Sequence, residues 1–394
     1  MASRILDDWL EGYVEYVDNT EPPDLYKLWA GIFCIAACLK RKCHLPWGMF
    51  TTYPNLYLVL VGPSGLGKGV AMMPAVEMLR HLSITLAADA GSKEALTRAL
   101  ARSSSDTDVM IDGRIEIHSS LSIVSTEFCV FLGYKNMDLI GYLCKWYDCE
   151  SVFSFDAKDK TKADTVNNVW VSIFAGTTPH MVQTHMPMDT VGLGLTSRII
   201  FVYEQQQSKA CPYPFLTQAQ EDMKWKLMKD LEQIHMMKGP FKYTPGFMAN
   251  YVEWYMDQRN NPPFTDERLG GYARRRSIHA LKLAMIMCAS RSGEMQITQK
   301  DFERALHYLT LTEQKMPMVF AGMGKNPSSA TMHRAMHIIG MMGEMPYGEL
   351  FNMLSDDVDT RGFEGIIKAL DLNGFAHVRI EGRNKTVVKN KIVQ

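Results

Sequence analysis

The chain has 394 residues, 46% of them hydrophobic and 22% charged, with eight cysteines and a formal net charge of −1. That length buries a sizeable core and suggests two or three domains, and the charge balance excludes a histone-like binder, so any nucleic-acid contact has to be local. The longest apolar run, Leu28 to Leu39, is too short to span a bilayer, and the N-terminus lacks a signal-peptide pattern, so a cytoplasmic protein without membrane contact is expected.

Residues 1–50 read as an N-terminal helical segment. Ile5 to Asp18 and Asp24 to Lys42 carry the helical pattern, separated by the turn and helix-start signals of Asn19-Thr-Glu-Pro-Pro. Cys34, Cys38, Cys129, Cys144 and Cys288 sit in apolar or amphipathic stretches and read as core packing. Cys38, Cys43 and His44 lack the paired spacing of a zinc site, and the 28 methionines read as adaptable core filling.

Residues 51–204 alternate strand-like and helix-like runs, with strands expected at Leu56–Val61, Ile115–Ile117, Leu121–Ser125, Val169–Ala175 and Arg198–Tyr203. Such alternation predicts an α/β sheet covered by helices, with ligands at the carboxyl ends of its strands. The first strand runs into Gly62-Pro63-Ser64-Gly65-Leu66-Gly67-Lys68-Gly69-Val70, and a helix is expected from Val70 to Leu82. Glycines at 62, 65 and 67 let successive backbone N–H groups turn toward phosphate oxygens, Lys68 reaches the β and γ phosphates, and the helix N-terminus faces them. This predicts an ATP site. Gly69, however, stands where a Ser or Thr hydroxyl usually ligates Mg²⁺.

Leu121-Ser-Ile-Val-Ser125-Thr126-Glu127 ends as a Walker B strand would. Glu127 is the candidate base for an attacking water and the candidate carboxylate on the metal side, while Thr126 replaces the Asp that usually holds Mg²⁺. Phe153 to Lys162 reads as a short hairpin whose Lys158, Lys160 and Lys162 suit a DNA backbone, and Tyr134-Lys135 is a weaker loop of the same sort. Val169 to Thr178 is a buried strand ending in hydroxyls, of which Thr177 or Thr178 could position water; Thr178 is the stronger candidate. Arg198 follows a glycine turn and could reach the γ-phosphate of a neighbouring subunit.

Residues 205–325 read as a helical lid, with helices at Ala219–Met236, Pro245–Gln258, Tyr272–Ala289 and Thr298–Met316. Of Arg274, Arg275 and Arg276, Arg275 is the candidate that senses nucleotide in cis. After a linker near Gly322, residues 326–394 show three helices and a β pair, the order of a winged helix. Its last stretch carries Arg379, Arg383, Lys385, Lys389 and Lys391 against Glu381, and Arg383 and Lys385 are the candidate DNA contacts on the wing.

Leu6-Asp-Asp-Trp-Leu, Trp29-Ala-Gly, Tyr53-Pro-Asn-Leu-Tyr, the phosphate loop, Ala88-Asp-Ala-Gly-Ser-Lys-Glu-Ala-Leu, Ser125-Thr-Glu-Phe, Gly176-Thr-Thr-Pro and Thr196-Ser-Arg-Ile-Ile-Phe follow one another in this chain. In that order they resemble the P-loop replicative helicase-like, or primase-helicase, proteins of phages and prophages. The resemblance covers residues 1–325 and implies an AAA+-like, hexameric motor with superfamily 3 helicase character in a phage-infected or prophage-bearing cell. It implies that Lys158, Lys160 and Lys162 grip single-stranded DNA in the pore and that a primase or polymerase is a partner. Family members carry Lys-Gly in the loop, often followed by Thr; here Val70 follows, and no primase metal motif is present.

The expected function is thus an ATP- and Mg²⁺-dependent DNA helicase with Lys68 on the phosphates, Glu127 activating water and Arg198 acting in trans. A replication initiator or helicase loader is a second expectation. A nucleotide-gated DNA-binding or assembly protein with little turnover, motivated by Gly69 and Thr126, is a third.

Overall fold

A computed structural model describes residues 4–87, 93–103, 109–111, 114–133, 136–150, 152–154, 165–186, 194–264, 266–320, 328–355, 358–382 and 384–390. They divide into two compact units, Met1–Ala321 and Gly322–Gln394. The first is a mixed α/β body built on a parallel five-stranded sheet.

Asp8 opens α1 (Trp9–Val17) by accepting from the Glu11 N–H, so the helix starts later than its pattern predicts. α2 (Asp24–Leu39) stops at Lys40, whose φ of 51° no helix continues. The expectation of helix to Lys42 is corrected there. β1 (Cys43–Trp47) and β2 (Phe50–Thr52) follow as an antiparallel pair that the sequence pattern did not reveal.

β3 (Tyr57–Val61) is buried along its length and leads through the glycine loop into α3 (Lys68–His81). β4 (Leu86–Ala87) and α4 (Lys93–Arg102) come next, then an antiparallel pair, β5 (Val109–Ile111) and β6 (Arg114–Glu116). The strand expected at Ile115–Ile117 therefore pairs outside the main sheet. β7 (Ser119–Ser125) is followed by α5 (Phe128–Leu132) and α6 (Met137–Tyr147). β8 (Val152–Ser154) and β9 (Thr165–Asn167) pair antiparallel. β10 (Val169–Thr177), α7 (Pro179–His185) and β11 (Ile199–Tyr203) complete the core.

The sheet order is β11-β3-β10-β7-β4, with every neighbouring pair parallel. Its first strand in the chain thus lies between its last two, and β3, β10 and β11 are buried throughout. Continuous apolar runs such as Tyr57-Leu-Val-Leu-Val have this cause: strands covered on both faces need no polar alternation. Phe33 of α2 stacks on Phe174 of β10 with ring centroids 4.8 Å apart.

Helices Gln218–Met236, Pro245–Asn260, Gly270–Arg291 and Gln299–Glu313 belong to the same unit, with the two-residue strands β12 (Gly239–Pro240), β13 (Lys242–Tyr243) and β14 (Gln296–Ile297). Buried Asp230 accepts from the N–H groups of Ile5 and Leu6 at 2.8 Å, fastening the N-terminal segment to these helices. Arg276 Nε donates to both carboxylate oxygens of Glu313, at 2.8 and 3.0 Å, and both side chains are buried.

The second unit has helices Ser328–Met342, Tyr347–Leu354 and Thr360–Leu372. Its β15 (Glu344–Pro346), β16 (Ala376–Glu381) and β17 (Asn384–Lys389) form an antiparallel sheet in the order β15-β17-β16. Ile339, Leu350, Phe363, Ile366 and Leu370 make its core.

Arg276→Met leaves the Glu313 carboxylate buried without its partner and should lower the stability of the first unit by about 3–5 kcal/mol in urea unfolding. Adding Glu313→Leu to the same chain should recover most of that loss.

Candidate functional site

The carboxyl ends of β3, β10 and β7 meet at one edge of the sheet. Val61 is level with Thr177, and Ala175 with Ser125, so the register continued by two residues sets Glu127 level with Thr177. Two strand spacings, about 10 Å, separate the backbones of β3 and β7 there.

In the loop, Gly65 and Gly67 have φ of 81° and 80°, a backbone that side chains with a Cβ disfavour. Gly67 caps α3, whose N-terminal amides are the donors a phosphate needs. Lys68 Nζ donates to the carbonyls of Gly62 at 2.9 Å and Pro63 at 2.8 Å. Its ammonium is thus folded over the loop. Burial lowers the Lys68 pKa, and the nearby Glu127 charge partly offsets this.

Gly62 has no room for a Cβ. One built there would lie 2.5 Å from the Tyr26 hydroxyl and 2.6 Å from the Glu204 carbonyl oxygen and from Leu66 Cδ2. Tyr26 itself donates to the Val61 carbonyl at 2.7 Å. A Cβ on Gly176 would approach the Thr126 carbonyl oxygen to 3.1 Å and Lys68 Cβ to 3.5 Å, so bare backbone lets β10 end against the lysine stem.

Around this edge, Glu127 and Thr126 are exposed at the start of α5, and the Glu127 N–H donates to Ser125 Oγ at 3.2 Å. Thr177 is buried with its hydroxyl 3.3 Å from Cys129 Sγ. Thr178 caps α7 by accepting from the Met181 N–H at 3.3 Å, so its hydroxyl proton stays available to another acceptor.

The metal side is sparse. Gly69 and Val70 offer no side-chain oxygen, and the nearest atom to a Cβ on Gly69 is Thr126 Cγ2 at 4.0 Å. Among the described residues no group of three or more His, Cys, Asp or Glu side chains could hold a metal. Mg²⁺ commonly needs only one or two protein carboxylates beside phosphate and water, and Glu127 is the carboxylate at this edge. Beyond Gly69 and Thr126 lies a cavity of about 340 Å³, also lined by Met72, Arg80, Leu86 and Val124.

A larger groove of about 950 Å³ is lined by Leu10, Val14, Leu25, Leu28, Glu204 and Tyr308 among others. Pro23 and Asp24 also line it, and the preceding Pro22 sits 3.0 Å from a Cβ position on Gly67. Sequence patterning did not reveal this groove, because its walls come from α1, α2 and the helix Gln299–Glu313, far apart in the chain.

The arginines lie elsewhere. Arg198 ends a single 3₁₀ turn, Thr196–Arg198, just before Ile199, which is level with Tyr57 at the start of β3. Lys68 lies beyond Val61 at the other end of that strand, about 13 Å further along. Arg198 Nη2 bonds Asp148 Oδ2, and Arg275 Nη1 meets Asp148 Oδ1 at 3.3 Å. Arg275 therefore shares an anchor with Arg198 at the end remote from Lys68. The helix Gly270–Arg291 thus carries Arg275, the residue expected to sense nucleotide in cis, to the end of the sheet where Arg198 lies. Asp148, which sequence reading missed, is the residue that joins the two.

Lys282 and His279 are buried behind them. Lys282 Nζ donates to the Asn55 carbonyl at 3.1 Å and to the Asn55 side-chain oxygen, and lies 4.1 Å from the Tyr147 ring centroid. Burial pushes Lys282 down to about 8 and His279 down to about 3. The imidazole is thus neutral, bridging Tyr147 OH at 3.2 Å and the Ser197 carbonyl at 3.1 Å.

Of the candidate DNA contacts, Lys158, Lys160, Lys162 and Arg383 lie outside the described residues, as do Tyr134, Lys135 and Lys391. Lys385 is on β17 with Nζ 5.6 Å from the Tyr347 ring centroid. Arg379 is neutralised by Glu344 at 3.0 Å and Glu381 at 3.2 Å, which reduces the positive charge of this stretch. No helix among the described residues is long and apolar enough to cross a membrane. Comparison of the chain with protein-family models and with curated proteins gave no match.

The unfolded pKa of Lys282, 10.5, exceeds its folded value of about 8, so below pH 8 its burial costs stability in full and the cost fades as pH rises toward 10.5. Lys42 is shifted the same way, also to about 8. Thermal unfolding from pH 7 to 9 should show Lys282→Met gaining less stability than the native chain, by about 1 kcal/mol over that interval.

Proposed function

We propose that this chain is a nucleoside-triphosphate-driven DNA motor of the phage replicative-helicase type, with an AAA+-like core, a helical lid, a C-terminal winged helix and a ring of identical subunits, six in the reading by resemblance. The observation that carries the nucleotide part is the loop Gly62–Gly67 between buried β3 and the start of α3, with Lys68 over it and Glu127 level with the neighbouring strand end.

In this reading ATP lays its β and γ phosphates against the amides of Gly65, Gly67 and Lys68. Lys68 Nζ exchanges two carbonyl acceptors for phosphate oxygens, a stronger, charge-assisted pairing. The adenine enters the groove beside Pro23, where Leu25 and Tyr308 offer apolar surface and Asp24 and Glu204 can accept from an amino group. Glu127 takes a proton from water as its oxygen attacks the γ-phosphorus; the bond to the β,γ-bridging oxygen breaks and ADP leaves with that electron pair. Thr178 donates its hydroxyl proton to the water or the γ-phosphate. Mg²⁺, held on the phosphates with Glu127 as its protein carboxylate, would neutralise charge there. Arg198 serves a neighbouring copy, because its own Lys68 lies at the opposite end of β3.

The DNA part rests on the lysines Lys158, Lys160 and Lys162, which fall in the sequence between paired β8 and β9, and on Lys385 on β17. A second reading, a nucleotide-gated assembly protein with little turnover, is favoured by the missing hydroxyl at Gly69 and by Thr126 in place of an acid.

Phosphate release measured with and without single-stranded DNA tests the choice. The native chain should be stimulated by DNA, and Lys68→Ala and Glu127→Gln should each lose about 10²-fold or more. Native protein that binds ATP yet releases no phosphate selects the assembly reading. Gly69→Ser, for which a Cβ has space, should raise Mg²⁺-dependent release severalfold if the absent hydroxyl limits the rate; an unchanged rate would show that it does not.

A further inference from the structure

At the sheet end opposite the phosphate loop, three cations crowd one acid. Arg198, Arg275 and Lys282 face Asp148, the single carboxylate bonded to any of them among the described residues. Arg198 is only 8% exposed, and its Nε is buried with no hydrogen-bond partner. A buried donor left unused is costly, so Asp148 satisfies this arginine imperfectly. The guanidinium fork can grip an anion through Nε and Nη2 together, but the carboxylate takes only Nη2 from Arg198 and a single 3.3 Å contact from Arg275.

The pocket also has an open side. The Asp148 side chain is 42% exposed and that of Arg275 29%, against 10% for Arg198. An anion arriving from solvent meets Arg275 first and Arg198 behind it.

We propose that Arg198 and Arg275 form a binding site for the terminal phosphate of a nucleotide presented by a second copy of this chain, and that Asp148 is the internal carboxylate this phosphate displaces. The proposal rests on the ring-forming nucleotide reading above and adds to it a second arginine and a latch. A terminal phosphate brings three acceptor oxygens and more charge than a carboxylate, enough to satisfy Arg198 Nε and both arginine forks. Distance excludes service to the chain's own nucleotide, since Lys68 follows the far end of β3. Asp148 keeps the two arginines in place while no partner is docked. Once freed, it can turn to water.

Mixing variants tests the trans geometry directly. Arg275→Ala and Lys68→Ala should each lose most phosphate release; mixed in equal amounts, they should regain about a quarter of the native rate, because one interface in four joins an intact loop to an intact arginine. No recovery on mixing would overturn the trans site. Asp148→Asn, at an exposed position, should lower the ATP concentration for half-maximal assembly severalfold in sedimentation; an unchanged or raised concentration would overturn the latch. Should the native chain assemble with ATP without releasing phosphate, the same site is read by assembly. Arg275→Ala should then bind fluorescent ATP normally but fail to assemble, and retained assembly would overturn the proposal. A native chain that binds no ATP at all would instead sink the nucleotide reading itself, an outcome seen before any variant is made.

Discussion

The close approach at Gly62 governs how this fold can work. Tyr26 from α2, the Glu204 carbonyl after β11 and Leu66 from the loop converge where a side chain would otherwise stand. That convergence packs the N-terminal helices, the sheet and the loop together, and Glu204 also lines the groove beside Pro23 and Asp24. Protein interiors transmit strain because they are close-packed. A phosphate drawing on Lys68, which now bonds the Gly62 carbonyl, therefore pulls on the residue where three elements meet.

The sheet has two chemically different ends. At the carboxyl ends of the strands the backbone itself supplies donors, through the Gly65 to Lys68 turn and the first amides of α3, and few side chains are needed. The other end is built mainly from side chains, Asn55, Asp148, Arg198, His279 and Lys282, with backbone carbonyls of Asn55 and Ser197 as acceptors. Burial of so much positive charge is costly, which is why His279 stays neutral and Lys282 binds its proton less tightly. Such a cost is tolerable where something outside the chain repays it, and an anion from a neighbouring copy is chemically suited to do so.

The loop and strands were legible in the amino-acid sequence because local pattern determines them. A continuous apolar run entering Gly-Pro-Ser-Gly-Leu-Gly-Lys can hardly be anything but a buried strand, a tight turn and a helix start. The short pieces were not legible. β1 and β2 owe their form to pairing with each other, and the two-residue β4 exists only because β7 offers a free edge. The place of Arg275 was not legible for a similar reason: its position in the helix was plain, but which end of the sheet the helix reaches depends on packing. Lys282, a lone cation within Ala-Leu-Lys-Leu-Ala-Met, was the signal that could have pointed to the buried cluster.

Sparse metal ligation and a latched arginine pair favour the same kind of behaviour. With no hydroxyl at Gly69 and Thr126 in place of an acid, the chain's own residues stabilise little of the charge that develops as the phosphate leaves. Arginines supplied by a neighbour would provide the missing stabilisation, yet in the isolated chain Asp148 occupies them. On the proposed reading chemistry waits on assembly: an isolated subunit would hold nucleotide but lack the arginines that speed its cleavage, and a docked neighbour would bring them. Weak binding on the metal side would, on this argument, be no defect, since it makes hydrolysis depend more steeply on the ring being closed.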